Sequence, residues 1–277
     1  MKKFAMTCIA CTLALAIVGC GGDKKKTAQA APANNAQPKQ ATVLKVGVAG
    51  DVYTNILNQA RPALTKEGVE LQVVPFKEAF NLQNSLDLVE KKIDASFYQK
   101  KLEFNTANNE LKLGLEALCT VHIDEPLAIY SAKIKSLKEP SYKAIAPVDN
   151  MGRTLETLRA AGVLKLKKAA GLNNDYDDIV AGSEKAKIYY QEGKNIPGSY
   201  QLFDWALMSP AQAAQAKLTL KDAIFVEPKE SIYASVVAVR KQEGNKPELK
   251  ALKKVLTSPE MKQYIETNYK GRVIAAF

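Results

Sequence analysis

The protein is a chain of 277 residues in which 39 Lys and Arg outnumber 29 Asp and Glu, so that the formal net charge at pH 7 is +10. Such an excess would suit a nucleic-acid-binding protein, but the lysines are dispersed and only 7% of the residues are aromatic. The composition therefore argues against nucleic acid as a partner and favours a solvated basic surface that faces anionic lipid.

Residues 1–19 have the pattern of a secretory signal, because two lysines precede an apolar run at 4–18. The run is too short for a membrane-spanning helix. It ends in IVGC at 17–20, which resembles the lipobox of bacterial lipoproteins. The resemblance implies cleavage before Cys20 and acylation of its sulfur and its new amine. The alternative is an ordinary signal peptide with a chance cysteine.

Residues 20–42 hold the lipidated cysteine and a segment rich in Ala, Gln, Asn, Pro and Lys without a periodic apolar face. Such a segment predicts a flexible tether, and more than one acyl chain makes the anchoring stable. We therefore expect a globular body held in the cell envelope at the periplasmic or cell-surface face of a bacterial membrane. The sequence leaves open whether that membrane is the inner or the outer one.

The cysteines exclude an internal disulfide and a thiolate metal cluster from the mature body. Cys8 and Cys11 leave with the signal and Cys20 carries lipid, so Cys119 remains alone. Its apolar surroundings, LGLEALCTV, predict a buried small hydrophobic side chain and not a reactive thiol.

From Val43 onward, short β-like runs alternate with amphipathic helical patterns, which is typical of α/β architecture. The predicted elements are, in chain order, a strand at 43–50, a helix at 52–66 bent by Pro62, a strand at 69–76, a helix at 80–92, strands at 93–98, 126–131 and 142–148, a helix from Asn150, a run at 187–191, a mixed helix that includes Trp205, strands at 223–227 and 233–240, and helices at 249–258 and 259–269.

No strong catalytic constellation is present in the sequence. GxGxxG, Walker A, HExxH, CxxC and GxSxG motifs are all missing from residues 43–277, and His122 is the only histidine of the chain. His122 is better explained as a hydrogen-bonded wall residue than as a general base. We therefore expect neither enzymatic activity nor a cofactor.

Arg153 stands at the start of the helix that begins at Asn150, where the helix dipole is positive and acidic side chains are preferred. This unusual position suggests that an anion lies between the arginine and the helix. The alternative is a surface ion pair with Glu156, three residues further along the same helix face.

Five segments resemble the NlpA/MetQ family, the methionine-binding lipoproteins of bacterial ABC importers. They are LKVGVAG (44–50), IDASFYQKKLEF (93–104), EPLAIYSAKIKSL (125–137), NMGRTLETLRAAGVLKLKKAAGL (150–172) and KDAIFVEPKESIY (221–233). The resemblance implies a type II periplasmic-binding-protein fold with two α/β lobes joined by two crossover segments. Lobe I would comprise residues 43–124 and 241–277, lobe II residues 125–240, and the ligand would lie in the cleft between them.

The resemblance also implies a role for Arg153, which would hold the α-carboxylate of a bound amino acid through its guanidinium fork. Asn150 would serve as helix N-cap, ligand contact or both. The predicted ligand-binding set is completed by Phe76, Phe97, Tyr98, Gln99, Lys100, His122, Glu125, Met208 and Ser209. Phe76, Phe97, Tyr98 and Met208 would suit the walls of a thioether pocket, with core packing as the alternative.

The sequence departs from the family where the ligand should be recognised. Lys100 replaces the family's histidine, Met208-Ser209 stands near its asparagine, and Ala79 replaces its tyrosine, although neighbouring Phe80 could supply a ring. Other residues would then have to bind the ligand's ammonium group, and Glu125 or Asp149 could do so. Lys100 could instead reach a second carboxylate of a dipeptide or another anionic ligand, or lie on the solvated surface.

These patterns predict a lipid-anchored solute-binding protein that delivers a ligand to an ABC permease and its ATPase. L-Methionine is the first choice of ligand, and a methionine derivative or short peptide is the second. The alternative is a surface interaction or adhesion lipoprotein that keeps the fold and has lost the family ligand.

Overall fold

A computed structural model describes residues 41–76, 82–168, 171 and 173–277, and gives the backbone alone for Tyr98 and Gln99. The predicted signal, the lipidation of Cys20 and most of the tether fall outside the described residues. The same holds for Ala79 and Phe80. In the described part of the chain, no helix is both long and apolar enough to cross a bilayer.

The described chain forms two β-sheets flanked by helices. The first sheet has the strand order β11-β4-β10-β3-β1-β2 and is built from β1 (Thr42–Val48), β2 (Val69–Pro75), β3 (Ala95–Lys100), β4 (Leu115–Asp124), β10 (Ser235–Arg240) and β11 (Val273–Ala275). The second has the order β7-β6-β8-β5-β9 and is built from β5 (Ala128–Tyr130), β6 (Lys143–Pro147), β7 (Lys187–Gln191), β8 (Trp205–Met208) and β9 (Ala223–Val226). The helices are α1 (Asp51–Lys66), α2 (Leu82–Val89), α3 (Lys101–Glu110), α4 (Met151–Ala160), α5 (Pro210–Gln215), α6 (Pro247–Leu256) and α7 (Pro259–Tyr269).

Apolar faces at helical spacing explain how the helices cover the sheets. In α1, the buried residues Tyr53, Ile56, Leu57, Ala60 and Leu64 fall at positions i, i+3, i+4, i+7 and i+11, as expected of one helix face against a sheet. This face packs with α6 and α7 on the first sheet. A separate hydrophobic core is formed by residues of α4 and of the second sheet. Each sheet therefore has its own hydrophobic core.

Strand directions bring one set of strand ends to a common edge of the first sheet. Strand β1 pairs in parallel with β2 and β3, and β10 runs antiparallel to both β3 and β4. Strand β4 therefore runs in the same direction as β1 and β3, and the carboxyl ends of all three meet at one edge. Asp124, at the end of β4, lies there.

The chain passes between the sheets twice, as in the type II periplasmic-binding-protein fold. Residues 125–127 form an outgoing crossover between β4 and β5, and residues 227–234 form a returning crossover between β9 and β10. Strand β10 hydrogen-bonds in the first sheet, although we assigned residues up to 240 to lobe II. The chain therefore re-enters the first sheet at Ser235, because β10 lies between β3 and β4 in that sheet. The lobe boundaries otherwise stay a prediction.

Some predicted elements differ from those in the structure. Trp205 lies in strand β8 and not in a helix, and β4, α3 and β11 were not predicted. In β8 all four residues are buried, so its apolar run has neither the helical nor the strand period. Helix α1 continues through Pro62 to Lys66.

Cys119 has the environment expected of an unreactive thiol. It lies in β4, half-buried, and packs against the first core. Burial raises the pKa of the Cys119 thiol to about 12, so the thiolate is scarce at neutral pH.

Arg240, at the end of β10, forms hydrogen bonds with the end of α2 and with the segment that follows it. Its Nη1 donates to the carbonyl oxygens of Leu88 and Ile93 at 2.6 and 2.7 Å, and its Nε donates to Oε2 of Glu243 at 2.9 Å. The bond from Arg240, helped by one from Lys246, lowers the pKa of the Glu243 carboxyl to about 2. Glu243 thus keeps Arg240 oriented toward the two carbonyl groups.

We expect Glu243→Gln to lower the free energy of unfolding by about 1 kcal/mol at pH 7, after allowance for solvent screening. Because the folded-state pKa is depressed, the contribution is complete above about pH 4.5 and is lost as the pH falls toward 2. Urea unfolding at pH 7 and pH 2.5 measures this difference. Glu70→Gln, at an exposed position of β2, is the control, and an equal loss at both pH values would contradict the assignment.

Candidate functional site

The start of α4 places Arg153 beside the two crossovers. The side-chain Oδ1 of Asn150 accepts a hydrogen bond from the backbone N–H of Arg153 at 3.1 Å, so Asn150 is the N-cap of α4. Residues 152–158 of α4 are all buried, which fixes the helix against the second sheet. Asn150 therefore has the capping role that we predicted, and its contact with a ligand stays a prediction.

The anion beside Arg153 is the carboxylate of Glu227. Nη2 of Arg153 lies 2.7 Å from Oε2, and Nε lies 3.1 Å from Oε2 and 3.3 Å from Oε1. The two side chains are only 9% and 2% exposed. The predicted alternative, a pair with Glu156, is wrong, because Glu156 accepts a hydrogen bond from Nε of Arg159 at 2.6 Å.

The Arg153–Glu227 pair joins α4 to both crossovers. Nη2 of Arg153 donates to the carbonyl oxygen of Asp124 at 3.1 Å. Glu227 also accepts hydrogen bonds from the backbone N–H of Leu127 at 3.0 Å and from Oγ of Ser231 at 2.6 Å. Glu227 begins the returning crossover and Leu127 ends the outgoing one, so one carboxylate bonds to both.

Tyr233 forms an apolar wall against the guanidinium group. The carbon at the centre of that group lies 5.4 Å from the centroid of the Tyr233 ring, which is a cation–π distance. Burial raises the pKa of Tyr233 to about 12, although the charge of Arg153 opposes the shift. The ring is therefore neutral at physiological pH.

A polar cluster, comprising Tyr53, His122, Asp124 and Ser235, lies at the carboxyl end of β4. His122 is fully buried, and its Nε2 lies 3.1 Å from Oδ1 of Asp124. Neither ring nitrogen makes a well-directed hydrogen bond to a described residue. The hydroxyl of Tyr53 donates to Oδ2 of Asp124 at 3.2 Å and lies 2.9 Å from Oγ of Ser235. Because His122 is fully buried, it offers a ligand no surface in this conformation, and its predicted contact with a ligand stays a prediction.

Asp124 is ionised despite its partly buried position. Burial acts to raise the pKa of its carboxyl, but the contacts with His122 and Tyr53 and the charge of Lys100 together hold the pKa below its usual value. Burial and the neighbouring carboxylate raise the pKa of Tyr53. The carboxylate of this cluster belongs to Asp124, whose side chain is 29% exposed.

The Asp124 carboxylate lines a cavity of about 330 Å³ at the common edge of the first sheet. The other lining residues are Val52, Glu125, Asn268, Tyr269, Arg272 and Val273. Glu125 is already paired, since its Oε1 lies 2.7 Å from Nη2 of Arg272 and its Oε2 accepts from the backbone N–H of Ala211 at 3.3 Å. Of the two carboxylates that line the cavity, Asp124 alone lacks an arginine partner among the described residues.

Three of the predicted wall residues serve the cores. Phe97 and Met208 are fully buried, so they offer a ligand no surface in this conformation. Phe97 packs edge-on against Tyr53 and His122, with ring centroids 5.0 and 5.5 Å apart. Phe76 is half-buried and lies so close to Gly47 that a Cβ atom there would overlap its ring. The core-packing alternative explains all three.

The remaining predicted residues are placed as follows. Lys100 is half-buried at the N-cap position of α3, and its charge acts on Asp124. Ser209 caps α5 in a capping box with Gln212. Asp149 accepts a hydrogen bond from the backbone N–H of Gly193 at 2.7 Å. The side chains of Tyr98 and Gln99 lie outside the description.

Sequence reasoning missed the importance of Glu227 and Asp124. Each follows a run of strand residues directly, and a carboxylate at a buried strand end requires a partner. A carboxylate at the end of a strand was therefore the sequence feature that could have identified both residues.

Among the described residues, no group of three or more His, Cys, Asp or Glu side chains is placed to hold a metal ion.

Comparisons with known proteins give a consistent result. The family model for NlpA lipoproteins matches residues 44–277. The methionine-binding lipoprotein MetQ of Bacillus subtilis is 30% identical over 298 residues, which cover 99% of this chain and 98% of that protein. A YaeC-family lipoprotein structure from Enterococcus faecalis has a TM-score of 0.63 and 29% identity, and covers 85% of this chain and 100% of its own.

A nutrient-binding protein from Burkholderia cenocepacia, solved with bound methionine, is similar in sequence and fold. It has a TM-score of 0.52 and 30% identity, and the match covers 84% of this chain and 100% of that one. The family model, the relatives and the two-sheet fold agree along the whole described body. This chain belongs to the NlpA lipoprotein family.

Proposed function

We propose that this protein is the lipid-anchored solute-binding component of an ABC importer and that it binds methionine, or a closely related amino acid, beside Arg153. The single observation that carries the proposal is the buried guanidinium group of Arg153, held at the point where α4 meets both crossovers. The bound ligand would be delivered to a membrane permease and its ATPase. Cys20 would carry the lipid.

The proposal assigns the ligand's α-carboxylate to the open side of Arg153. Glu227 and the carbonyl of Asp124 occupy Nε and Nη2. Nη1 donates no hydrogen bond to any described residue, so it remains for a ligand. The N-terminal end of α4 adds a favourable field for an anion. Arg153 thus has a structural partner in Glu227, and its Nη1 has no partner in the described part of the chain.

The ligand's ammonium group is assigned to Asp124. The two carboxylates that we first considered are engaged, Glu125 with Arg272 and Asp149 with the N–H of Gly193. Asp124 is ionised and partly exposed, and its own carbonyl oxygen accepts a bond from Arg153. The proposal therefore places the two charged groups of one zwitterion at Arg153 and Asp124. The cavity of about 330 Å³ that Asp124 lines is of the size that holds small ligands, and Arg153 is not among its lining residues.

Methionine titrated into the purified, unlipidated body tests the proposal by calorimetry, with mass spectrometry of ligand released on denaturation. We expect wild type to bind methionine and Arg153→Lys, which keeps the charge and loses the fork, to bind at least about tenfold more weakly. Arg159→Lys, on the same helix, is the matched control. Folded wild-type protein that binds no member of an amino acid and peptide panel would overturn the proposal and favour the adhesion alternative.

Asp124→Asn is expected to weaken methionine binding about tenfold, because it removes the counter-charge for the ammonium group. Binding of the desamino analogue, 4-(methylthio)butanoate, should be no weaker in the variant than in wild type. Asp149→Asn is the control. If Asp149→Asn weakens methionine binding and Asp124→Asn does not, the ammonium group lies at Asp149.

A further inference from the structure

We infer that Glu227 is a positioning residue for ligand recognition, which orients Arg153 so that one side of its guanidinium group remains for the ligand's carboxylate. The inference rests on the proposed function. It assigns to Glu227 an effect exerted entirely through Arg153, with no contact between Glu227 and the ligand.

The bonds of Glu227 show why it cannot be a ligand contact itself. Its two carboxylate oxygens accept hydrogen bonds from Nε and Nη2 of Arg153, from the N–H of Leu127 and from Oγ of Ser231. The side chain is only 2% exposed. With its oxygens satisfied and no surface open, Glu227 acts on whatever Arg153 binds through Arg153 alone.

Arg153 needs such a partner because an arginine side chain is long and flexible. Without a fixed partner, the Arg153 side chain would lose rotational freedom each time a ligand binds, and that entropy loss would weaken the affinity. The Glu227 carboxylate fixes the Nε–Nη2 side of the planar group in a fork geometry, and the carbonyl of Asp124 holds Nη2 as well. With these contacts made, the direction of Nη1 is set before a ligand arrives.

Glu227 also makes the orientation of Arg153 depend on the crossovers. The residue begins the returning crossover, and its bond to the N–H of Leu127 reaches the end of the outgoing one. Ser231 lies four residues along the returning crossover and bonds to the other oxygen. A change at Glu227 should therefore alter carboxylate recognition specifically, and not ligand binding in general.

The test compares methionine with methioninol, in which a hydroxymethyl group replaces the carboxylate. Calorimetry gives the two dissociation constants for wild type, Glu227→Gln and Glu156→Gln. Glu156 is the matched control, because it also pairs with an arginine of α4 and its hydrogen bonds go to Arg159 and not to Arg153 or Glu227. We expect wild type to prefer methionine, Glu227→Gln to lower that preference at least about tenfold, chiefly through weaker methionine binding, and Glu156→Gln to leave it unchanged.

Equal weakening of both ligands in Glu227→Gln would show a merely structural role and overturn the inference, as would an unchanged preference. Wild-type protein that binds neither ligand would overturn the proposed function and the inference with it. If Glu227→Gln does not fold, Ser231→Ala decides the question, because it removes one bond from Glu227 and leaves the ion pair intact. This variant must lower the preference for methionine in the same direction.

Discussion

Replacing Arg153 by methionine should lower the free energy of unfolding by about 3–5 kcal/mol, because it leaves the Glu227 carboxylate buried without its counter-charge. Glu227 is 2% exposed, so water cannot substitute for the lost guanidinium group. The remaining bonds to Leu127 and Ser231 reduce the penalty and do not remove it. Urea or guanidinium unfolding of the unliganded body measures the change.

The double variant Arg153→Met with Glu227→Leu separates an unpaired charge from lost packing. Apolar residues of similar volume often replace a buried ion pair without net loss of stability, so the double variant should recover most of the deficit. Lys254→Met is the control, because Lys254 and its partner Glu67 are 73% and 40% exposed and such a pair contributes about 0–1 kcal/mol. An Arg153→Met variant no less stable than this control would mean that the Arg153–Glu227 pair is not closed in solution.

The position of Arg153 could be predicted from the sequence, whereas its partner could not. Helix spacing offered Glu156, three residues away, as a partner within α4. The actual partner, Glu227, stands 74 positions further along the chain. A local sequence pattern cannot predict a contact over that separation. The contact arises because the returning crossover passes the first turn of α4, which is a property of the fold as a whole.

The alternation of apolar and polar residues predicted the strands that have one clear buried face. It did not predict a strand where the pairing in the sheet is irregular. In β4, which we did not predict, Val121, His122 and Ile123 are buried in succession, and the pairing of β4 with β10 shifts register twice. Each shift breaks the inward–outward alternation on which the prediction depends. Asp124, at the end of this strand, was therefore missed as a site residue.

The aromatic residues show the limit of reasoning from residue type. A phenylalanine suits a ligand wall and a protein core equally well, because both are apolar surfaces. The family segment around Phe97 was recognised, yet its side chain packs inward against Tyr53 and His122. Only the direction of the side chain in β3 distinguishes the two roles.

Phe97→Ala should lower the free energy of unfolding by about 3–5 kcal/mol, the range for truncating a buried aromatic residue. Phe97 is fully buried, and the cavity left by its ring would lie beside Tyr53 and His122, whose own contacts hold Asp124. Chemical unfolding of the unliganded body measures this loss. Leu202→Ala, at a position 74% exposed, is the control and should change stability by less than about 0.5 kcal/mol.

Phe97→Leu then distinguishes the core from the ligand wall. Leucine keeps an apolar side chain in the core, so the variant should remain folded at 25 °C and its methionine affinity should stay within about threefold of wild type. A ligand wall behaves differently, because losing an aromatic contact with a thioether weakens binding even in a well-folded protein. Methionine affinity that falls tenfold in Phe97→Leu, with stability nearly unchanged, would contradict the core assignment and place the ring beside the ligand.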